Sequence, residues 1–182
     1  PSGADLVSSP SALGTDASAS LPGALQTSSG AEPWDVSFSL TRRLSHPAAS
    51  VWEALCDWEG HSEWVPLTSV HLLAQDPSSN ADTFVSYTGV KPLRLEDNMR
   101  VISKNDAAMS CVVEKTGPVL LGTAEFRVTA LTDTTCGVEW TEHLRLARAP
   151  RFLKRAAPLA AAPARAGFTF ALRRLERSLR TP

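Results

Sequence analysis

The sequence predicts an α+β fold, in which a curved antiparallel sheet of about seven strands wraps round a long C-terminal helix. Two short helices follow the first strand in this prediction. It depends on a tryptophan-rich stretch with helix-like punctuation at residues 46–66, on alternating segments before and after that stretch, and on an apolar stripe at helical spacing near the C-terminus.

The first strand is predicted over residues 35–44. Val36, Phe38 and Leu40 alternate with polar side chains, and this period of two indicates a strand with one buried face. In the stretch 46–66, Pro47 suits a first helical turn, where no backbone N–H is needed. Three of the five tryptophans lie in this stretch, so we expect it to form one wall of an apolar interior.

Six further strands are predicted after residue 66. They are separated by short breaks rich in Pro, Gly, Asn and Asp, and such short links favour antiparallel hairpins. The predicted strands cover residues 69–75, 82–89, 94–104, 108–116, 120–131 and 136–146.

The C-terminal helix is predicted from Arg165 onward. Its apolar side chains lie four, three and four residues apart, at Phe168, Leu172, Leu175 and Leu179, and this spacing is typical of an amphipathic helix. Such a helix needs an apolar surface, which the open face of the sheet provides. Residues 151–164 contain two prolines and are predicted to be broken or irregular.

Length and composition favour one domain preceded by a tail. Residues 1–33 consist largely of Ser, Ala, Gly, Pro and Thr, so we predict a disordered tail there and a folded domain over residues 34–182. The three cysteines are too few and too scattered for a disulfide framework. The sequence contains no run of about 18 apolar residues, so no membrane span is predicted. A cytoplasmic location is expected.

Charge is unevenly distributed along the chain. Residues 1–144 contain 8 basic and 18 acidic residues, whereas residues 145–182 contain 10 basic residues and one acidic residue. A basic segment can meet nucleic acid or anionic lipid. This one contains no Trp or Tyr that could stack on bases, so we expect a solvated helix face and no nucleic-acid partner.

The segment Val51–Pro66 (VWEALCDWEGHSEWVP) resembles the START-like helix-grip superfamily (SRPBCC), in particular its polyketide cyclase/dehydrase branch. Together with the order of elements, the resemblance covers about residues 35–180. The pieces LEDNMRV (95–101), VEKTGPVLLGTAEFRV (113–128) and VEWTEHLRL (138–146) are similar to small actinobacterial proteins of that superfamily. The resemblance implies a helix-grip fold with a cavity between sheet and helix, and that fold supports many functions.

Two carboxylates lie in phase with apolar residues and are the candidates for catalysis. Asp97 lies on the same strand face as Leu95 and Met99, and Glu142 lies on the same face as Trp140. Burial raises the pKa of a carboxyl group, as a general acid or base near neutral pH requires. Such a pair could enolise a β-ketone or protonate a leaving hydroxyl. Alternatively, each carboxylate pairs with Arg42 or Arg100, or lies in water near the edge of the sheet.

The candidate ligand contacts are aromatic, apolar and a few polar side chains. His61 is expected in the loop between the two short helices, near the cavity mouth, and Tyr87 could donate a hydrogen bond to a ligand carbonyl. Arg100 could bind an anionic group. No metal or cofactor is expected, because no histidines have metal-ligand spacing and no nucleotide-binding motif occurs. The full set is His61, Trp64, Phe84, Tyr87, Met99, Arg100, Phe126, Trp140, Phe168 and Leu172.

Three functions therefore remain open. The first is a module that binds a hydrophobic or aromatic small molecule, polyketide-like or lipid-like, and the second is a cofactor-free polyketide cyclase or aromatase that uses Asp97 and Glu142. The third is an interaction protein that uses its basic C-terminal helix, which predicts an interior filled with side chains. A monomer or homodimer is expected.

Overall fold

A seven-stranded antiparallel sheet forms the frame of the protein. The computed structural model describes residues 34–75, 81–92, 94–147 and 151–180; the tail predicted at 1–33 lies outside them. Along the curved sheet the strands follow the order β1-β7-β6-β5-β4-β3-β2. The strands are β1 (Val36–Leu44), β2 (Thr68–Ala74), β3 (Thr83–Thr88), β4 (Leu95–Asn105), β5 (Ser110–Pro118), β6 (Leu120–Thr132) and β7 (Thr135–Leu146).

The helices form two groups, one between the first two strands and one after the last strand. Two short helices, α1 (Ala48–Cys56) and α2 (His61–Trp64), lie between β1 and β2. After β7 come α3 (Arg151–Ala156), a 3₁₀ turn (Ala157–Ala160) and the long α4 (Ala161–Ser178). The predicted fold is confirmed, including the two short helices and the number of strands.

The long helix begins earlier than the sequence predicts. We expected Pro163 to interrupt the chain before a helix that starts at Arg165, but α4 begins at Ala161. Pro163 therefore lies in the first turn, where its missing N–H costs nothing. The irregular part is confined to the short helix α3 and the 3₁₀ turn that contains Pro158.

Helix α4 is held against the first strand by both packing and polar contacts. Leu172 and Leu175 are buried in the core. Glu176 accepts hydrogen bonds from the Arg42 guanidinium at 3.2 Å and from the Ser45 backbone N–H at 3.1 Å. His46 Nε2 donates to the Glu176 carbonyl oxygen at 3.0 Å. These contacts fix one end of the helix while its preceding turns extend across the sheet.

The strand alternation directs one face of each strand toward the helices. In β1 the buried side chains are Val36, Phe38, Leu40 and Leu44. Among the described residues, no helix is long and apolar enough to cross a membrane, and no cluster of His, Cys, Asp and Glu could hold a metal ion. All three cysteines are free thiols.

Candidate functional site

A cavity of about 250 Å³ lies between the concave face of the sheet and helices α2 and α4. Most of its wall is apolar, and its polar side chains lie on strands β2, β3, β4, β5 and β7 and on α2. Thr88 is exposed, and Val65, Thr68, Leu95 and Leu120 are partly exposed, which places the opening at their end of the sheet. The cavity is lined by Trp58, His61, Trp64, Val65, Thr68, Val70, Phe84, Ser86, Thr88, Leu95, Asp97, Met99, Val113, Lys115, Leu120, Ala124, Phe126, Trp140, Glu142, Leu144 and Phe168.

Stacked aromatic rings form two sides of the cavity. Trp58 lies parallel to Phe84 with a centroid distance of 4.5 Å, and its indole N–H donates to Asp82 at 2.8 Å. Phe126 and Trp140 stack at 5.1 Å, and Phe168 of α4 lies 5.1 Å from Trp140. Rings held from several sides lose little freedom when a ligand binds. These walls are therefore rigid apolar surfaces.

Three charged side chains meet at the polar wall of the cavity. Lys115 Nζ donates a hydrogen bond to Asp97 Oδ2 at 2.6 Å and lies 3.8 Å from Glu142 Oε2. The indole N–H of Trp140 donates to Glu142 Oε1 at 3.0 Å. The side chains of Asp97, Lys115 and Glu142 are 9%, 8% and 2% exposed. We call these three residues the acid–lysine cluster.

Burial and neighbouring charges shift the pKa values of Glu142 and Lys115. Burial raises the pKa of Glu142, and the opposing effects of Lys115 and the Trp140 hydrogen bond do not cancel this rise. For Lys115, burial lowers the pKa, but the charges of Glu142 and Asp97 outweigh it, so the pKa lies above 10.5. Lys115 is therefore a cation at neutral pH and is not available as a nucleophilic amine.

Two oxygens of the cluster lack hydrogen-bond partners. Asp97 Oδ1 and Glu142 Oε2 are buried and accept no hydrogen bond from any described residue. An unpaired buried acceptor is destabilising by about 1–3 kcal/mol. The site can recover this energy by accepting a hydrogen bond from a bound molecule.

The arginines that we expected near the two carboxylates pair elsewhere. Arg42 binds Glu176 of α4, and Arg100 binds Glu114 at 2.6 Å on the outer face of the sheet. Arg100 follows Met99 in β4, and its side chain points away from the cavity. The expected contact between Arg100 and a ligand in the cavity is therefore wrong.

Tyr87 and Leu172 also lie outside the cavity wall. Phe84, Ser86 and Thr88 point inward from β3, so the alternation turns Tyr87 outward. There the Arg94 guanidinium covers its ring at 4.1 Å. Leu172 is one turn beyond Phe168 and is buried in the core below the cavity wall.

His61 is a buried part of the wall and does not lie in an entrance loop. It is the first residue of α2, and its Nε2–H donates to the Leu55 carbonyl at 2.9 Å. Its ring lies between Trp58 and Trp64, with centroid distances of 5.6 and 4.5 Å. Burial lowers the pKa of His61 to about 4, so the ring is neutral at physiological pH and joins α1 to α2.

Of the cavity residues that were not predicted from the sequence, three are informative. Lys115 lies on the same strand face as Cys111 and Val113, which are both buried. The period of two could therefore have placed the lysine inside. Ser86 lies opposite Asp97 in the pairing of β3 with β4, a register that sequence does not give. Trp58 lies in the turn between α1 and α2, where it continues the apolar spacing of Val51 and Leu55.

A family model described as "Polyketide cyclase / dehydrase and lipid transport" matches residues 35–180. The chain belongs to this family. No curated protein matches its sequence. The match covers nearly all of the described residues, including every element that lines the cavity.

Solved structures that resemble this polyketide cyclase/dehydrase family member share its fold at low sequence identity. The aromatase/cyclase Zhui from Streptomyces sp. R1128 is 17% identical, with a TM-score of 0.66 over 78% of this chain and 92% of that one. A Thermus thermophilus protein is 12% identical, with a TM-score of 0.67 over 78% and 94%. A START superfamily protein from Mycobacterium smegmatis is 13% identical, with a TM-score of 0.61 over 79% and 98%.

Proposed function

We propose that this protein binds a hydrophobic or aromatic small molecule, polyketide-like or lipid-like, in the cavity between the sheet and α4. The observation that carries the proposal is an apolar, aromatic cavity with one polar wall, where two carboxylate oxygens accept no hydrogen bond from the described residues. Ligand sites are commonly apolar clefts in which a few polar groups fix orientation. The family description, which includes both cyclases and lipid transport, is consistent with this.

The cavity volume limits the size of the bound group. A dry cavity of about 150 Å³ takes up one benzene ring, so about 250 Å³ accommodates roughly two fused rings or a short acyl chain. A longer molecule extends through the opening beside Thr68 and Leu120.

Filling the cavity tests this function. We expect Ala124→Leu to weaken binding of a two-ring probe, followed by tryptophan fluorescence, at least tenfold, because Ala124 is buried in the wall. Ala130→Leu is the control, since Ala130 is exposed on the same strand. Thermal melting shows whether each variant is folded, because overpacking costs about 1–3 kcal/mol. Equal binding by a folded Ala124→Leu variant would rule out this cavity as the site.

A cofactor-free cyclase is the second candidate, and the buried carboxyl of Glu142 favours it. In this reaction the free oxygen of Asp97 takes a proton from a carbon between two ketones. The enolate carbon then attacks a second carbonyl, and Glu142 gives its proton to the resulting alkoxide. In the dehydration that follows, the Glu142 carboxylate removes a second α-proton, and the protonated Asp97 gives its proton to the hydroxyl, which departs as water and returns both groups to their starting states. Lys115 stabilises negative charge on the enolate oxygen.

Deuterium exchange tests this chemistry without knowledge of the natural substrate. The probe is 1-phenylbutane-1,3-dione in D₂O, followed by NMR. If Asp97 acts as the base, the protein accelerates exchange at the central carbon, and Asp97→Asn reduces the acceleration about a hundredfold. Glu114→Gln, on the outer face of β5, retains the full rate. Exchange no faster than in buffer would exclude the enzymatic candidate and leave ligand binding.

The open cavity does not favour the third candidate, an interaction protein based on the C-terminal helix. That function predicts an interior filled with side chains, whereas about 250 Å³ is open here. Arg174, on the basic face of α4, donates to the Glu63 carbonyl oxygen at 2.9 Å, so part of this face is engaged within the domain.

A further inference from the structure

The acid–lysine cluster contains one cation and two carboxyl groups. Lys115 Nζ lies 2.6 Å from Asp97 Oδ2 and 3.8 Å from Glu142 Oε2. With both carboxyls ionised the cluster has a net charge of −1, and with Glu142 protonated it is neutral. In neither state does the polar wall present an uncompensated positive charge to a ligand.

This balance has a direct consequence for anionic ligands. A carboxylate that enters the cavity finds an ammonium group whose closest contact is already Asp97. It also meets the charge of Asp97, and that of Glu142 when ionised, both of its own sign, in a site of low dielectric, where charge repulsion is stronger than in water. Transfer of the ligand charge out of water is then not compensated, so binding of a carboxylate is disfavoured.

The unpartnered oxygens favour a different ligand group. Asp97 Oδ1 and Glu142 Oε2 are both buried without a donor among the described residues. A hydroxyl group both donates and accepts hydrogen bonds. It can therefore donate to an ionised carboxylate, or accept from a protonated Glu142 while it donates to Asp97. A ketone can only accept, and a hydrocarbon can do neither.

From this geometry we propose that the acid–lysine cluster selects uncharged ligands that carry a hydroxyl group on an aromatic or other apolar skeleton, and that it rejects carboxylates. The proposal rests on ligand binding in the cavity and names the chemical class of that ligand. In this proposal the charge of Lys115 is balanced by the two acids, so its ammonium group is not free to bind an anion.

Four two-ring probes test the selectivity: naphthalene, 2-naphthol, 2-naphthamide and 2-naphthoate. At pH 7 the carboxylate is ionised and the naphthol is neutral, because such groups titrate near 4 and near 10. We expect 2-naphthol to bind about tenfold more tightly than naphthalene. The amide matches the carboxylate in size, and we expect 2-naphthamide to bind at least tenfold more tightly than 2-naphthoate.

Neutralising the acids should reverse the preference. In Asp97→Asn/Glu142→Gln, Lys115 becomes the sole charge of the cluster, so 2-naphthoate should bind more tightly than 2-naphthamide. Glu114→Gln removes a negative charge from the outer face of the same strand as Lys115 and should leave the wild-type order unchanged. If the double variant does not fold, Glu142→Gln alone should reduce the ratio of the affinity for 2-naphthamide to the affinity for 2-naphthoate.

The outcomes separate this inference from the proposed function. If the wild type binds all four probes with equal affinity, or binds the carboxylate as tightly as the amide, the selectivity is refuted and the cavity remains a ligand site. If none of the four probes binds, the proposed function fails and the selectivity fails with it. The expected order in the wild type, with reversal in the folded double variant, supports both.

Discussion

Replacing Lys115 with methionine removes the cation that lies between Asp97 and Glu142. The aliphatic part of the side chain is largely kept, so the change is mainly one of charge. Removing one partner of a buried ion pair costs about 3–5 kcal/mol, because the remaining charge stays buried without compensation. All three side chains are at most 9% exposed, so solvent screens little of this effect. For a domain of this size the loss lowers the melting temperature by about 10 °C.

The pH dependence of this loss follows from Glu142. Its pKa already lies above the ordinary value of 4.5 because of burial, and removal of Lys115 raises it further. A carboxyl group whose folded pKa is raised holds its proton more tightly in the folded state. Its contribution to stability is then lost as pH rises above 4.5. The deficit of Lys115→Met is therefore expected to grow between pH 5 and pH 8.

Urea unfolding at pH 5 and pH 8 measures this prediction. The matched control is Lys104→Met, because Lys104 pairs with the exposed Asp106 at 3.4 Å, and such a surface pair contributes at most about 1 kcal/mol. Adding Asp97→Asn and Glu142→Gln to Lys115→Met removes all three charges and should recover most of the lost stability. A loss at pH 8 no larger than that of Lys104→Met would refute the reasoning.

Three further predictions concern two glycines, a buried histidine and two cysteine thiols. In Gly122→Ala, the new Cβ would collide with the His143 carbonyl oxygen at a backbone φ of +135°, so unfolding experiments should show a loss of stability of at least about 2 kcal/mol. The control Gly167→Ala, in open space on α4, should gain up to about 1 kcal/mol of stability. NMR titration should find the His61 ring neutral down to pH 5, because burial lowers its pKa to about 4; its contribution to stability is lost as pH falls from 6.5 toward that value, and a midpoint near 6.5 would contradict its burial. Burial raises the pKa of Cys56 and Cys111 to about 12, so both thiols should react with 5,5′-dithiobis(2-nitrobenzoic acid) at pH 8 only after unfolding, and fast labelling of the folded protein would contradict this.

The fold could be predicted from the sequence because its signals are local. The period of two in Val36, Phe38 and Leu40 marks a strand with one buried face, and the observed strand β1 buries all three. The short links between later segments permit only neighbouring antiparallel pairs along most of the sheet. The start of α4 was missed by four residues, because proline breaks a helix interior but suits a first turn.

The site was predictable where strand phase alone decides direction. Asp97 and Glu142 follow the alternation of their strands, and both lie in the cavity wall. Tyr87 was misplaced because the phase of β3 was not used to exclude it. The partner of the two acids was also misplaced, because Lys115 is 18 residues from Asp97 and reaches it only through the pairing of β4 with β5.

Amphipathic periodicity and turn chemistry act over a few residues, so the order of amino acids was enough to establish the class of fold and its buried faces. It was also enough to turn two acids toward the interior, since each shares the phase of its apolar neighbours. Three features needed the folded chain: the same lysine meets both acids, His61 is held by the Leu55 carbonyl, and an open cavity remains. They depend on strand register and on the packing of α4 across the sheet, which bring together residues far apart in the chain.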